Sequence, residues 1–255
     1  MQNIMYNVFE KMKGEMEMEN FKIEYYFEHI DEFEYKELFD NCAYPWEALA
    51  KVNDLLNKLV EKEKVKINKG TLHEFVSIEG NYIIGEGTEI HSNVSIEGPV
   101  IIGKNCTIQS GALIRPGSII GDGAVIGHSA EIKHSIIQNK AKVQSFTFAG
   151  DSVIGKSTRI GSGTILSNRR FDQKNITVKN SAGEKVDIGT DFFGAAVGDN
   201  SRLGANCTTL PGSFIESYTW VMPTVQVRGF IPKEKRVFPV YETKITENPK
   251  VNLKD

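Results

Sequence analysis

The sequence predicts a mainly β protein, a parallel β-helix of hexapeptide repeats preceded by an α-helical segment. Two observations carry this. Isoleucine recurs every sixth residue, at Ile78, Ile84, Ile90, Ile96, Ile102, Ile108, Ile114, Ile120, Ile126 and Ile132. Four residues after the isoleucines runs a second column of small or β-branched side chains, Thr88, Val94, Val100, Cys106, Ala112, Ser118, Ala124 and Ala130. A period of six is neither the 3.6 of a helix nor the 2 of a strand. It fits a triangular prism in which each hexad is one short strand and three hexads close a coil. Coils then stack at roughly 4.8 Å and pair through their backbones.

Residues 1–70 have no hexads and form a helical cap or connector. In "YPWEALAKVNDLLNKLVEKEK", Trp46, Leu49, Val52, Leu56 and Leu59 share one helical stripe, and Pro45 suits a first turn. The pattern predicts a helix from about 45 to 63 and a second near 29–40. The stripe could hold a cofactor or partner. Its preferred role is to cover the open end of the prism, which needs a cap.

The β-helix is expected over 71–230, with isoleucine pointing inward and the small residue near a corner. After Ile132 the pattern resumes at Ile137 and Val143, then at Phe148, Ile154, Ile160 and Leu166, so that two steps shorten to five. Residues 168–186, "NRRFDQKNITVKNSAGEKV", carry no hexads and read as an extruded loop. The six-step returns at Val197, Leu203, Thr209, Ile215 and Val221. Cys106 and Cys207 fall in the small column and read as buried structural thiols. The tail 231–255 contains Pro232, Pro239 and Pro249 and is expected to be irregular.

A formal net charge of −3 argues against general nucleic-acid binding. No apolar run approaches the length of a membrane span, and the acidic N-terminus lacks a secretory core. Three well-separated cysteines suggest neither a disulfide framework nor a metal pair, consistent with a cytoplasmic location.

Glu97, Arg115 and Lys133 each follow an isoleucine and lie one coil apart (115 − 97 = 18; 133 − 115 = 18). They should stack as an outward ladder whose two cations could bind one phosphate. The plainer alternative pairs Glu97 with Arg115 and leaves Lys133 solvated. The extruded loop adds Asn168, Arg169, Arg170, Asp172, Lys174 and Lys179. His128 and His134, near the register slip, are each either a general base or an ordinary surface histidine. His29, His73 and His91 are not expected to join them as metal ligands, so no metal site is predicted.

Residues from about 76 to 230 resemble the acetyltransferase domain of bifunctional sugar-1-phosphate nucleotidylyltransferase/acetyltransferases, including glucosamine-1-phosphate acetyltransferases. The matching stretches are "LIRPGSIIGDGAVIGHSAEIKHS", "FAGDSVIGKSTRIGSGTILSNRRFDQK" and "FFGAAVGDNSRLGANCTTLPGSFI". The resemblance implies a left-handed β-helix, a homotrimer with active sites between subunits, and acetyl-CoA as co-substrate. It implies that Arg115 and Lys133 bind a sugar phosphate and that Asn168 and Lys174 match the family's loop Asn and Lys. The stretch near the CoA arm corresponds to Gly161, Ser162, Gly163 and Thr164.

Where the family has a His and a Tyr three residues apart, this chain has Ser145 and Phe148. That His is the family's general base, and serine cannot replace it unaided. A family Asn is replaced by Arg159. The N-terminal segment 1–70 is too short for a nucleotidylyltransferase domain, so that activity is expected to be absent.

The expected function is acyl-CoA-dependent acetyl transfer to an amino-sugar phosphate or nucleotide-linked amino sugar. Arg115, Lys133 and Arg170 would hold substrate, Asn168 and Lys174 would position it, His134 or His128 would act as base, and Ser162 would meet the cofactor. The alternative is a catalytically silent β-helix that binds sugar phosphate or partners a separate nucleotidylyltransferase. A purely structural trimer is a third reading.

Overall fold

The computed structural model describes residues 18–61, 65–242 and 245. Its body is a parallel β-helix. Three parallel sheets of nine, nine and eight strands form the prism faces. The first sheet runs from Lys66–Asn68 to Phe230–Ile231, the second from Thr71–Leu72 to Arg236–Val237, and the third from Ser77–Glu79 to Gln226–Val227. The prism therefore extends at both ends past the expected 71–230, and part of the expected irregular tail completes its last rungs.

The predicted isoleucine column fills the prism. From Ile84 to Ile132 each member is fully buried, with Val94, Val100, Cys106, Ala112, Ala124 and Ala130 between them. Cys106 and Cys207 are both buried thiols, and burial pushes both pKa values up.

Coil length is not constant. Ile101 pairs with Ile119 (119 − 101 = 18), but Ile119 pairs with Ile136 (136 − 119 = 17). The shorter coil repeats at Ile132↔Ala149 and Ala149↔Leu166. Ala149, not Phe148, is therefore the inward residue, and the second shortened step falls at 149–154. Phe148 is only partly buried and turns outward.

A second core lies outside the prism. Strands of the first sheet carry apolar doublets, such as Ile101-Ile102, Ile119-Ile120, Ile136-Ile137, Val153-Ile154 and Phe214-Ile215. Neighbouring strand residues face opposite sides, so one member of each doublet points in and the other out. The outward members are buried by the N-terminal segment through Phe21, Tyr26, Phe27, Leu49, Val52 and Leu56. The segment thus covers a flank of the prism rather than its end.

The segment's helices are shorter than expected. Helix α1 (Pro45–Ala50) begins at Pro45 and helix α2 (Val52–Leu56) follows Lys51, after which Asn57–Glu61 forms one wide π-turn. Asn53, Asp54 and Asn57 are weak helix formers. The region 29–40 contains two 3-10 turns instead of a helix. Its aromatic side chains are anchored singly, Phe33 edge-on to both Tyr35 and Phe39.

Asp199 fastens this segment to the prism. Its buried carboxylate accepts backbone N–H bonds from Glu28 at 3.0 Å, His29 at 3.2 Å and Lys156 at 2.7 Å. Among the described residues, no helix is long and apolar enough to cross a membrane.

Candidate functional site

The shortened coils build a column that a constant count of 18 misses. His134, Asp151 and Asn168 are evenly spaced (151 − 134 = 17; 168 − 151 = 17) and stack on successive coils at one corner. Asp151 is 4% exposed. Its Oδ1 bonds His134 Nδ1 at 2.9 Å, and its Oδ2 accepts from Lys133 Nζ at 2.9 Å and Asn168 Nδ2 at 2.5 Å. Burial would raise this carboxyl's pKa. The bonds from His134, Lys133 and Asn168 outweigh it and hold the group below its ordinary value. An ionised carboxylate only accepts, so His134 Nδ1 carries its hydrogen.

Two glycines permit this packing. A Cβ on Gly150 would sit 2.6 Å from Phe148 Cζ and 2.8 Å from Asn168 Nδ2. A Cβ on Gly117, where φ is +78°, would sit 2.5 Å from His134 Cδ2 and 3.3 Å from Asn53 Oδ1. Gly117 therefore lies against the Cδ2 edge of the His134 ring, and the His134 side chain is otherwise partly exposed. The ring Nε2 is buried and has no hydrogen-bond partner among the described residues.

Above this cluster, Lys133 Nζ lies 4.4 Å from the Phe192 ring centroid, and the Arg169 guanidinium lies 4.8 Å from it. Arg115 occupies the ladder position one coil below Lys133. Its Nη1 donates to Glu131 at 2.9 Å, so the alternative pairing with Glu97 does not form. Lys133 is not a solvated rung either, since its ammonium is tied to Asp151.

The other predicted residues are more dispersed. Arg170 is held by Asp172 through bonds of 2.8 and 2.6 Å, inside its own loop. The Lys174 side chain is exposed. Ser162 is exposed at the corner before strand Ile165–Leu166, one face away from Asn168. His128 lies at another corner, its Nδ1 2.6 Å from the Ser110 carbonyl and its ring edge-on to Phe146. Of the two histidines, only His134 meets a carboxylate in the cluster.

His73 and His91 do come together. They lie one coil apart on the second sheet (91 − 73 = 18), and their rings stack at 4.9 Å. With Glu89 they place three ligand-type atoms within 4.8 Å of one another, on an exposed edge remote from Asp151. Sequence reading also missed Asp151. The signal was present in the shift from 18 to 17, which aligns positions 134, 151 and 168.

A family model described as the GMPPB C-terminal domain matches residues 96–193. The bifunctional sugar-1-phosphate nucleotidylyltransferase/acetyltransferase of Sulfurisphaera tokodaii is 34% identical over 190 residues, 74% of this chain and 46% of that protein. The bifunctional protein GlmU of Methanococcus aeolicus is 36% identical over 200 residues, 78% of this chain and 47% of that protein. The chain, a parallel β-helix built on a six-residue repeat, is similar in sequence to one part of these bifunctional enzymes. It spans about half the length of the curated relatives it matches. Among solved structures, the UDP-N-acetylglucosamine acyltransferase of Francisella novicida aligns at 18% identity with a TM-score of 0.45, covering 64% of this chain and 60% of that one.

Proposed function

We propose that this hexapeptide-repeat protein is an acyl-CoA-dependent acyltransferase acting on an amino-sugar phosphate or a nucleotide-linked amino sugar, and that it works as a homotrimer. The observation that carries this reading is the buried Asp151 carboxylate, which orients Lys133, His134 and Asn168 at one corner of the prism. Arg115 and Lys133 bind the substrate's phosphate, assisted from the loop by Arg170 and Lys174. Asn168 orients the sugar. Acetyl-CoA supplies the acyl group as a thioester. His134 Nε2 is buried in the free chain, so substrate binding must uncover it. His134, its Nδ1–H fixed on Asp151, takes the amine proton at Nε2 as the nitrogen–carbon bond forms and the carbon–sulfur bond breaks. It then returns the proton to the departing thiolate. Ser162 lies on an open surface beside the exposed Ile165 and one face from Asn168. A donor held at Ser162 therefore serves the cluster of an adjacent copy, which supports the trimer.

The test is release of free CoA thiol from acetyl-CoA and a panel of amino-sugar phosphates and nucleotide amino sugars. His134→Gln and Asp151→Asn should each lower the rate by about 10²–10⁴-fold, the usual loss for a positioned base. No release with any acceptor between about pH 6 and 9, the range over which a histidine base comes into play, would sink the proposal.

One observation favours a second reading, a binding protein without chemistry: His134 Nε2, the atom a base would use, is buried. Sugar-phosphate binding that disappears in Arg115→Ala/Lys133→Ala, with no thiol release in the parent protein, would select it.

A further inference from the structure

A cavity of about 1030 Å³ opens beside the Asp151 cluster, between the extruded loop, residues 210–212, residues 228–230 and Phe21. Five cations line it: Arg169, Arg170, Lys179, Lys185 and Arg228. The lining carries one carboxylate, Asp172, already gripped by Arg170.

Two of the lysines are held against each other. Strands Thr177–Lys179 and Lys185–Asp187 form an antiparallel hairpin in which Lys179 and Lys185 are direct partners. Like charges directly opposite destabilise a strand pair. The neighbouring carboxylates do not relieve them. Asp187 accepts from Asn175 and from the Gly189 N–H, Glu184 accepts from Asn180, and Asp191 faces Arg169 at 3.7 Å. Among the described residues, no ion pair joins Lys179, Lys185 or Arg228 to a carboxylate. The hairpin keeps a repulsive pair turned toward a cavity, and an anion bound there would relieve it.

Ser167 and Thr177 also line the cavity, and most of the remaining wall is apolar. Phe21 and Phe230 pack with ring centroids 6.1 Å apart, Leu210 and Pro211 adjoin them, and Phe171 is wholly exposed at the loop tip. Flat aromatic faces beside a cation cluster suit a heteroaromatic base carried on phosphates.

We infer that this cavity binds a nucleoside diphosphate group, with Lys179, Lys185 and Arg228 contacting the phosphates and Phe171 and the partly exposed Phe230 contacting the base. The two lysines supply mobile point charges, and Arg228 supplies a planar fork. Such a group occurs in CoA and in nucleotide-linked sugars, and the site takes the chemistry they share. It stands whether or not the Asp151 cluster transfers an acyl group.

The full chain is titrated with CoA, with UDP and with inorganic pyrophosphate by calorimetry. At least one nucleotide should bind more tightly than pyrophosphate. Lys179→Ala/Lys185→Ala and Arg228→Ala should each weaken that binding about tenfold or more and flatten its salt dependence, whereas Lys142→Ala on the second sheet should not. Lys185→Glu should raise the melting temperature of the ligand-free protein while abolishing binding. That pairing of effects separates a ligand site from a merely structural one. Preference for CoA would assign the cavity to the acyl donor, and preference for UDP to the acceptor. Binding of neither nucleotide, unaltered affinity in the variants, or pyrophosphate held as tightly as both nucleotides would overturn the inference. Thiol release with no nucleotide binding would overturn it alone. Nucleotide binding without thiol release would overturn only the acyl-transfer reading.

Discussion

Asp151 is buried, ionised and surrounded by three partly buried donors. Replacing it with asparagine keeps its volume but puts an NH₂ group where Lys133, His134 and Asn168 all donate. At least one donor must then lose its partner. Breaking a buried charge pair in this way costs about 3–5 kcal/mol, and Asp151→Asn should lower unfolding free energy by that order in urea denaturation. Adding Lys133→Met should recover part of the loss, because the stranded ammonium goes with it. If the double variant is as unstable as the two single effects summed, Lys133 and Asp151 are not coupled. Arg115, Lys133 and Asn168 were legible in the sequence because they lie on a regular spacing or in a recognisable loop. Asp151 was not, because its partners come from the shortened coils. Counting in 18s sets Lys133 beside Asp151 but misaligns His134 and Asn168 with it.

The N-terminal segment and the first sheet make one element from two stretches of chain. Phe214 sits at their junction, fully buried, edge-on to Phe21 at 4.8 Å and to Trp46 at 5.7 Å. Phe214→Ala should cost about 3–5 kcal/mol, the range for removing a buried aromatic. The loss should fall mainly on the segment, because the inward neighbour Ile215 belongs to the prism core. Limited proteolysis of the variant should cleave within residues 18–61 before the β-helix. Simultaneous cleavage throughout would show that segment and prism unfold as one unit. The prism was legible because its period admits one geometry. The covered flank was equally present in the doublets, but an isoleucine column tracks only the inward member. Phe148 was misplaced for a related reason. Apolar character was taken for inward orientation, whereas at Ile132↔Ala149↔Leu166 the small Ala149 fills the interior position and the ring lies outside.

Two buried carboxylates, Asp151 and Asp199, flank paired strands of the first sheet, and they respond to pH with opposite signs. At Asp199, burial raises the pKa from an ordinary 3.8 to about 6, against the pull of the N–H groups of Lys156, His29 and Glu28. Between about pH 4 and 6 the folded chain therefore holds a proton that the unfolded chain has released. Stability must fall as pH rises through that window, by about 3 kcal/mol at roughly 1.4 kcal/mol per unit. At Asp151 the folded pKa is depressed. Its stabilisation is complete above the unfolded value near 4 and is lost as pH falls through the depressed one. The two together place their joint optimum near pH 4, above the acid loss at Asp151 and below the loss at Asp199. Urea midpoints measured from pH 3 to 7 on the parent chain, Asp199→Asn and Asp151→Asn would separate the contributions. Asp199→Asn should be less stable at pH 4, because its NH₂ meets the Glu28 and His29 N–H groups, yet its decline toward pH 6 should be much shallower than the parent's. Asp151→Asn should keep the decline toward pH 6 and lose much of the drop below pH 4. An Asp199→Asn curve parallel to the parent between pH 4 and 6 would show that the clamp holding residues 28–29 to the prism does not titrate there. The pH response would then have to come from other carboxyls, first of all Glu216, whose pKa burial also raises.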